Sequence, residues 1–242
     1  GGRCALITSV ESLDRYLERR AHDRAITAAL LSVEGAQVLE GDTGNIEVLF
    51  RAGFRMMSPT HFFDNDMGGS AHGVKKYGLT QKGKTMIRLM EAKGMIVDLA
   101  HASPDTIDDV LAMAARPVVV SHTGVRGVCP GVRNISDRHI RMIAEKGGLI
   151  GIGYFPKATC GETLESVVRS IRYAVDRAGV RHVGLGSDYD GLVQVPFDTT
   201  GMASLADALL DNGFTEDEVS LIMGGNVLRL LRETLPLHDG TR

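Results

Sequence analysis

The chain has 242 residues, 43% of them hydrophobic and 24% charged, with a formal net charge of −3. That is the composition of a folded globular protein long enough to bury a large core. The slight acidity leaves no electrostatic case for nucleic acid or an anionic membrane, and no apolar run approaches the roughly 20 residues a spanning helix needs.

Taken from the N-terminus, Ile26 to Val33 is the first apolar run, and it leads directly into Glu34-Gly35. Phe54 to Ser58 follows and ends at Pro59-Thr60-His61. Met95 to Leu99 runs into Ala100-His101, after which Ser103-Pro104 supplies an N-cap and a proline at the first helical position. Val118 to Val120 leads into Ser121-His122. Ser136-Asp137 opens a helix over Arg138 to Lys146, stopped by Gly147-Gly148. Leu149 to Tyr154 and His182 to Leu185 are the last two runs, the second followed by Gly186-Ser187-Asp188. Thr215 and Glu218 have capping-box spacing ahead of Val219 to Met223.

Alternation of short β-branched runs with helical segments predicts parallel βα units. Glu34, His61, His101, His122 and Asp188 each lie at or just past the end of a predicted strand. Chemistry spread over five strand C-termini predicts a (β/α)8 TIM-type barrel, whose catalytic face is built that way. A doubly wound sheet would instead gather its chemistry at one switch point, usually with a glycine-rich loop after the first strand, and none follows Val33. The expected organisation is one catalytic barrel domain over residues 1–242. Only six strands are legible where a closed barrel needs eight, so two βα units are expected to be missing ahead of the Glu34 strand; the chain also opens Gly1-Gly2-Arg3, without Met. The three cysteines, Cys4, Cys129 and Cys160, are odd in number and widely spaced, which predicts no disulfide framework and a reducing, cytoplasmic setting.

Parallel neighbours lie about 4.8 Å apart, so histidines ending adjacent strands at equal height can share an ion. Glu34, His101 and His122 are therefore candidate metal ligands, a set that leaves a position open for water. His61, beside the polar loop Asp64-Asn65-Asp66, is a ligand, an oxyanion stabiliser or a loop hydrogen-bonder, with the loop role ranked first on spacing. Asp188 is a turn residue or a general acid/base, and Arg133 is either solvated or a clamp for a substrate carboxylate. His72 is a weak candidate in a glycine-rich loop; His22, His139, His182 and His238 are read as structural or solvated, and Met86 and Met90 as core filler.

The stretches Ser32-Val33-Glu34-Gly35, Ser58-Pro59-Thr60-His61, Val97-Asp98-Leu99-Ala100-His101-Ala102-Ser103 and Arg116-Pro117-Val118 through Ser121-His122 resemble the renal (membrane) dipeptidase family, peptidase family M19. So do Arg133-Asn134-Ile135-Ser136-Asp137, Gly186-Ser187-Asp188-Tyr189-Asp190-Gly191 and Gly224-Gly225-Asn226-Val227-Leu228-Arg229, in the family's order. The resemblance implies a barrel with two zinc ions bridged by Glu34, and a metal-activated water that hydrolyses dipeptides. It makes His101 and His122 ligands of one ion, puts His61 beside substrate and tetrahedral intermediate, gives Arg133 the substrate's free carboxylate, and makes Asp188 the proton shuttle. The family's other metal site uses a His-x-Asp pair, and no such pair precedes Glu34 here; His22-Asp23 is adjacent rather than spaced by one. A homodimer is a further expectation of the resemblance. Two other readings stay open: another metal-dependent amidohydrolase, such as an N-acyl amino acid deacylase or lactonase, and a non-catalytic barrel that lost a metal site.

Overall fold

Short strands and amphipathic helices alternate along the chain, and every run expected as a strand contains one. The structure is a computed structural model and describes residues 3–239. The strands are β1 (Cys4–Leu6), β2 (Thr27–Ala29), β3 (Leu31–Val33), β4 (Phe54–Met57), β5 (Ile96–Val97), β6 (Val119–Thr123), β7 (Leu149–Ile152) and β8 (Val183–Leu185). The helices are α1 (Val10–His22), α2 (Asn45–Arg51), α3 (Gln81–Lys93), α4 (Pro104–Met113), α5 (Asp137–Glu145), α6 (Pro156–Thr159), α7 (Leu164–Ala178), α8 (Met202–Asp211), α9 (Glu216–Ser220) and α10 (Asn226–Thr234).

Among the described residues the named strands all pair in parallel. They run β1-β2, then β3-β4-β5, then β6-β7-β8. The Ile26 to Val33 run divides: its first half pairs with β1 and its second half with β4, so β2 and β3 are one extended passage between two neighbours. A single parallel bridge, Asp98 to Val119, joins β5 to β6. The result is a barrel-like succession of seven strand positions in sequence order. The count of six from the sequence is one short, because β1 has only three residues and two of them, Cys4 and Leu6, face solvent without an apolar pattern.

The helices pack by their apolar faces. In α7, Val167, Val168, Ile171 and Ala174 are buried at helical spacing; in α3, Met86, Ile87 and Met90 are. The predicted caps are in place: Ser103 accepts from Thr106 N–H, Ser136 from His139 N–H, and Thr215 with Glu218 forms a capping box. A second apolar cluster sits at the strand starts, where Ile96, Val119 and Leu149 meet Ile7 and Leu13 from the N-terminal unit and Leu230, Leu231 and Leu235 from the C-terminal helix. Backbone bonds from Val10 and Glu11 to the carbonyls of Pro236 and Leu237 fasten the same junction. Arg55 is buried against Phe50 and donates to the carbonyls of Thr8, Phe50 and Phe54, tying the exit of β1 to β4.

One expectation is overturned outright. Cys129 and Cys160 form a disulfide, leaving Cys4 as the free cysteine. Spacing could not reveal the pair, because the partners are 31 residues apart on loops that follow different strands, β6 and β7, and meet only through the sheet order. The bond staples the loop after β6 to the end of α6. Closing a loop of that length is worth about 3.5 kcal/mol on a chain-entropy estimate. Replacing both cysteines by serine should therefore lower the thermal midpoint by roughly 7–14 °C, measured by circular dichroism. A midpoint within 2 °C of the parent would show that the staple contributes nothing.

Candidate metal centre

The C-terminal ends of β3, β5 and β6 bring three ligand atoms together. Glu34 Oε1 lies 2.9 Å from His101 Nε2 and 3.2 Å from His122 Nε2, and the two nitrogens are 3.2 Å apart. Among the described residues this is the group of three or more acidic, histidine or cysteine side chains that could hold an ion. Both histidine side chains are largely sheltered, at 6% and 11% exposure, while Glu34, at 38%, closes the group from the open side.

Local structure explains the convergence. Gly35 N–H donates to the buried hydroxyl of Ser58 on the neighbouring strand, which fixes the backbone just past Glu34. His101 follows β5 in a tight turn and adopts a left-handed backbone (φ 62°), its carbonyl held by Ala71 N–H. His122 sits in a β-bulge: Val120 pairs with Ile150 and Thr123 with Ile152, so Ser121 and His122 together oppose Gly151. A bulge lets two successive side chains depart from strict alternation, and the carbonyl of Ser121 swings against Gly151 and Gly186. A Cβ at either glycine would overlap that oxygen.

The electrostatics suit ligation. Burial pushes His101 down to about 4, against the opposing pull of Glu34, so its imidazole is neutral at neutral pH. Burial would raise Glu34, but the neighbouring His101 and His122 outweigh it and hold the carboxyl well below the usual range. A neutral imidazole and an ionised carboxylate are the forms a metal binds. The three ligand atoms also lie close enough together to share one ion. The chain's own residues thus fit a divalent ion.

The other expected site residues surround this group. His61 Nε2 is 3.4 Å from Glu34 Oε2, the oxygen the two other histidines do not use, and its ring packs edge-on against His101. The loop role ranked first from spacing is therefore incomplete: the loop carries the ring into the site. Asp188, also left-handed (φ 60°), lies 3.9 Å from His122 Nε2, and burial raises its pKa. Arg133 is buried rather than solvated and donates to the His122 carbonyl at 2.7 Å; burial lowers its pKa while Asp98, Glu34 and Asp188 oppose that. His72 stacks near Phe62 and His101, outside the ligand group. His139 is structural, bonded to Asp108, and His182 is bonded to the Gly148 carbonyl. A cavity of about 320 Å³ opens over Glu34, His122 and Asp188, with Asp98 and Ser121 in its wall. Those last two were quoted as parts of sequence motifs but given no role. The only sequence signal for them was a buried-type strand carrying an acid.

A substitution of Gly186 by alanine, whose Cβ would also lie 2.8 Å from His122 Cα, should cost about 1–3 kcal/mol by overpacking. Denaturant unfolding checks it; a variant of parental stability would mean that the bulge does not depend on that glycine.

Comparison with known proteins places the chain in a family. The family model described as "Membrane dipeptidase (Peptidase family M19)" matches residues 6–241. The chain is 33% identical to "Dipeptidase aclJ" of Aspergillus oryzae over 91% of its own length and 57% of that protein's. It is 34% identical to "Dipeptidase tcpJ" of Claviceps purpurea, over 85% and 51% respectively. The chain thus spans about half the length of the curated relatives it matches. Among solved structures, a metallopeptidase from Rhodobacter sphaeroides liganded with a phosphinate mimic of the dipeptide L-Ala-D-Ala superposes with a TM-score of 0.86 at 26% identity, covering 96% of this chain and 69% of that one. The probable dipeptidase PvdM of Pseudomonas aeruginosa shares the fold, with a TM-score of 0.87 at 20% identity over 95% of this chain and 73% of that one. With the sequence motifs, the barrel order and the ligand geometry in agreement, the chain belongs to the membrane dipeptidase family, peptidase family M19.

Proposed function

We propose that this chain carries the catalytic barrel of a zinc-dependent dipeptidase. The observation that carries the reading is the convergence of Glu34, His101 and His122 on one point at the mouth of the barrel. These three residues would hold the ion. When bound, it would supply Lewis acidity toward the scissile carbonyl and a water made acidic enough to deprotonate near neutrality.

The remaining steps belong to side chains. Asp188, whose carboxyl burial makes more basic than an exposed one, takes the proton of the attacking water. It delivers that proton to the leaving amine as the C–N bond breaks. His61, beside Glu34, donates to the oxygen that gains charge in the tetrahedral state. Arg133, anchored on the His122 carbonyl, binds the free carboxylate of the dipeptide. The Rhodobacter sphaeroides relative, liganded with a dipeptide mimic, supports the substrate class. A carboxylate clamp next to the reaction centre favours dipeptides over lactones, whose products carry the acid but whose substrates do not.

Glu34 Oε2 faces His61 rather than His101 and His122; were a second ion held, as the sequence resemblance implies, Glu34 would be a residue shared between the two. The Cys129–Cys160 disulfide supports an oxidising compartment in place of the cytoplasm.

Two experiments test the reading. Alanine at His122 should reduce dipeptide hydrolysis by at least about 10³-fold and remove zinc from this position, as measured by turnover and metal analysis. Metal-loaded variant protein with parental turnover would defeat the ligand assignment. Replacing Arg133 by methionine should lower kcat/KM for dipeptides about 100-fold while leaving C-terminally amidated dipeptides within threefold. Equal losses on both substrates would take Arg133 out of carboxylate recognition.

A further inference from the structure

Asp98 is buried, at 4% exposure, on the seam between β5 and β6. Its Oδ1 accepts from the backbone N–H groups of Ala100 (3.0 Å) and Ser121 (2.9 Å), and its Oδ2 accepts from the Ser121 hydroxyl at 2.6 Å. Two of these three donors are peptide N–H groups, which cannot reverse. Ser121 has one hydroxyl proton, and it is used on Asp98. The Ser121 oxygen is then an acceptor toward His122 Nδ1, 2.8 Å away. It follows that Nδ1 carries the ring proton, and a neutral imidazole protonated there presents a bare lone pair at Nε2. Nε2 is the atom that faces Glu34 Oε1 and His101.

We propose that Asp98 and Ser121 form a positioning relay that locks His122 in the Nδ1–H tautomer, so that Nε2 is ready as a ligand before any ion arrives. Asp98 acts on the other histidine as well. Its bond to Ala100 N–H shapes the turn that sends His101 into its left-handed conformation. One carboxylate outside the ligand group thereby places both histidines. His101 has no such relay: among the described residues its buried Nδ1 has no hydrogen-bond partner. His122 is accordingly the histidine whose protonation pattern the relay sets, while His101 has Glu34 Oε1 at its Nε2 and nothing comparable at its Nδ1.

The relay predicts a reversal of polarity. In Asp98→Asn the amide oxygen keeps both peptide N–H groups, which turns the NH₂ toward the Ser121 oxygen. The serine hydroxyl must then donate to His122 Nδ1, and the ring proton moves to Nε2, blocking ligation. Removing the hydroxyl as well, in Asp98→Asn with Ser121→Ala, lifts that block.

The inference rests on the metal reading above for its purpose, but its first readout does not need a metal. Nitrogen-15 spectra of the metal-free, intact protein, with His122 assigned by the signal lost in His122→Gln, should show Nδ1–H in the parent and Nε2–H in Asp98→Asn. Zinc titration should then show affinity reduced about 100-fold in Asp98→Asn and about 10-fold in Ser121→Ala, the range expected for outer-shell partners. The double variant should bind like Ser121→Ala. The same tautomer in parent and Asp98→Asn, or a double variant no tighter than Asp98→Asn, overturns the relay. Should Asp98→Asn fail to fold, Ser121→Ala decides: His122 must lose its single-tautomer signal, and a retained pure Nδ1–H form overturns the relay. A tautomer switch without zinc binding in the parent would sink the metal reading and leave the relay standing.

Discussion

The seam between β5 and β6 is the constraint on which the site depends. Both histidines of the candidate metal centre lie at this seam, yet the two strands share one bridge. In a regular parallel ladder the bond from Leu99 N–H to the Val119 carbonyl is followed by one from Ser121 N–H back to the Leu99 carbonyl. Here the first bond is present, but the Leu99 carbonyl accepts instead from Ala102, closing the turn into His101. Ser121 N–H goes to the Asp98 side chain. A carboxylate stands in for a backbone carbonyl, and that exchange lets β5 turn sharply while β6 continues. Without it, either the seam would lose a buried donor's partner, at a cost of about 1–3 kcal/mol, or His101 could not leave the strand where it does.

The bulge in β6 is the complementary distortion. Regular alternation would put Ser121 and His122 on opposite faces of the sheet. Two residues opposing Gly151 bring the hydroxyl of one within reach of the ring of the next. The glycines at 151 and 186 are what the neighbouring strands must supply for this backbone to fit. The left-handed residues His101 and Asp188 belong to the same pattern. Such conformations are uncommon outside glycine and persist only where surroundings hold them. Both are at strand ends, where the chain leaves the barrel and side chains must turn inward rather than follow the strand.

This division explains what was legible in the sequence. The convergence of Glu34, His101 and His122 was legible, because each follows an apolar run and the parallel strand order brings the ends of those runs to one side of the sheet. Barrel class was legible for the same reason, as were the caps at Ser103, Ser136 and Thr215, whose signals are local. β1 was not, since three residues with two exposed carry no periodic signal. The Cys129–Cys160 pair was not, because it depends on loops that follow two different strands meeting in space. Asp98 and Ser121 were visible as residues but not as a device. Their roles depend on a bulge and a displaced ladder bond, and neither has a signature in composition or spacing. Arg133 shows the limit from the other side: the same loop arginine reads as solvated or as buried, and only packing against Phe155 and the His122 carbonyl decides.

Glu34 draws the local geometry into a single consequence. Its two oxygens have separate neighbours: Oε1 faces His101 and His122, and Oε2 faces His61. A carboxylate used only to close one ion's coordination would gain nothing from holding its second oxygen beside an imidazole in an open cleft. Glu34 thus stands between two sets of imidazoles, His101 and His122 on the β5–β6 side and His61 on the other. It is held by Gly35 against Ser58 rather than by packing of its own side chain, which is consistent with its greater exposure. The site therefore divides into a sheltered histidine seam, bonded through Ser121 and Ala100 to Asp98, and a more exposed Glu34 that spans from it to His61.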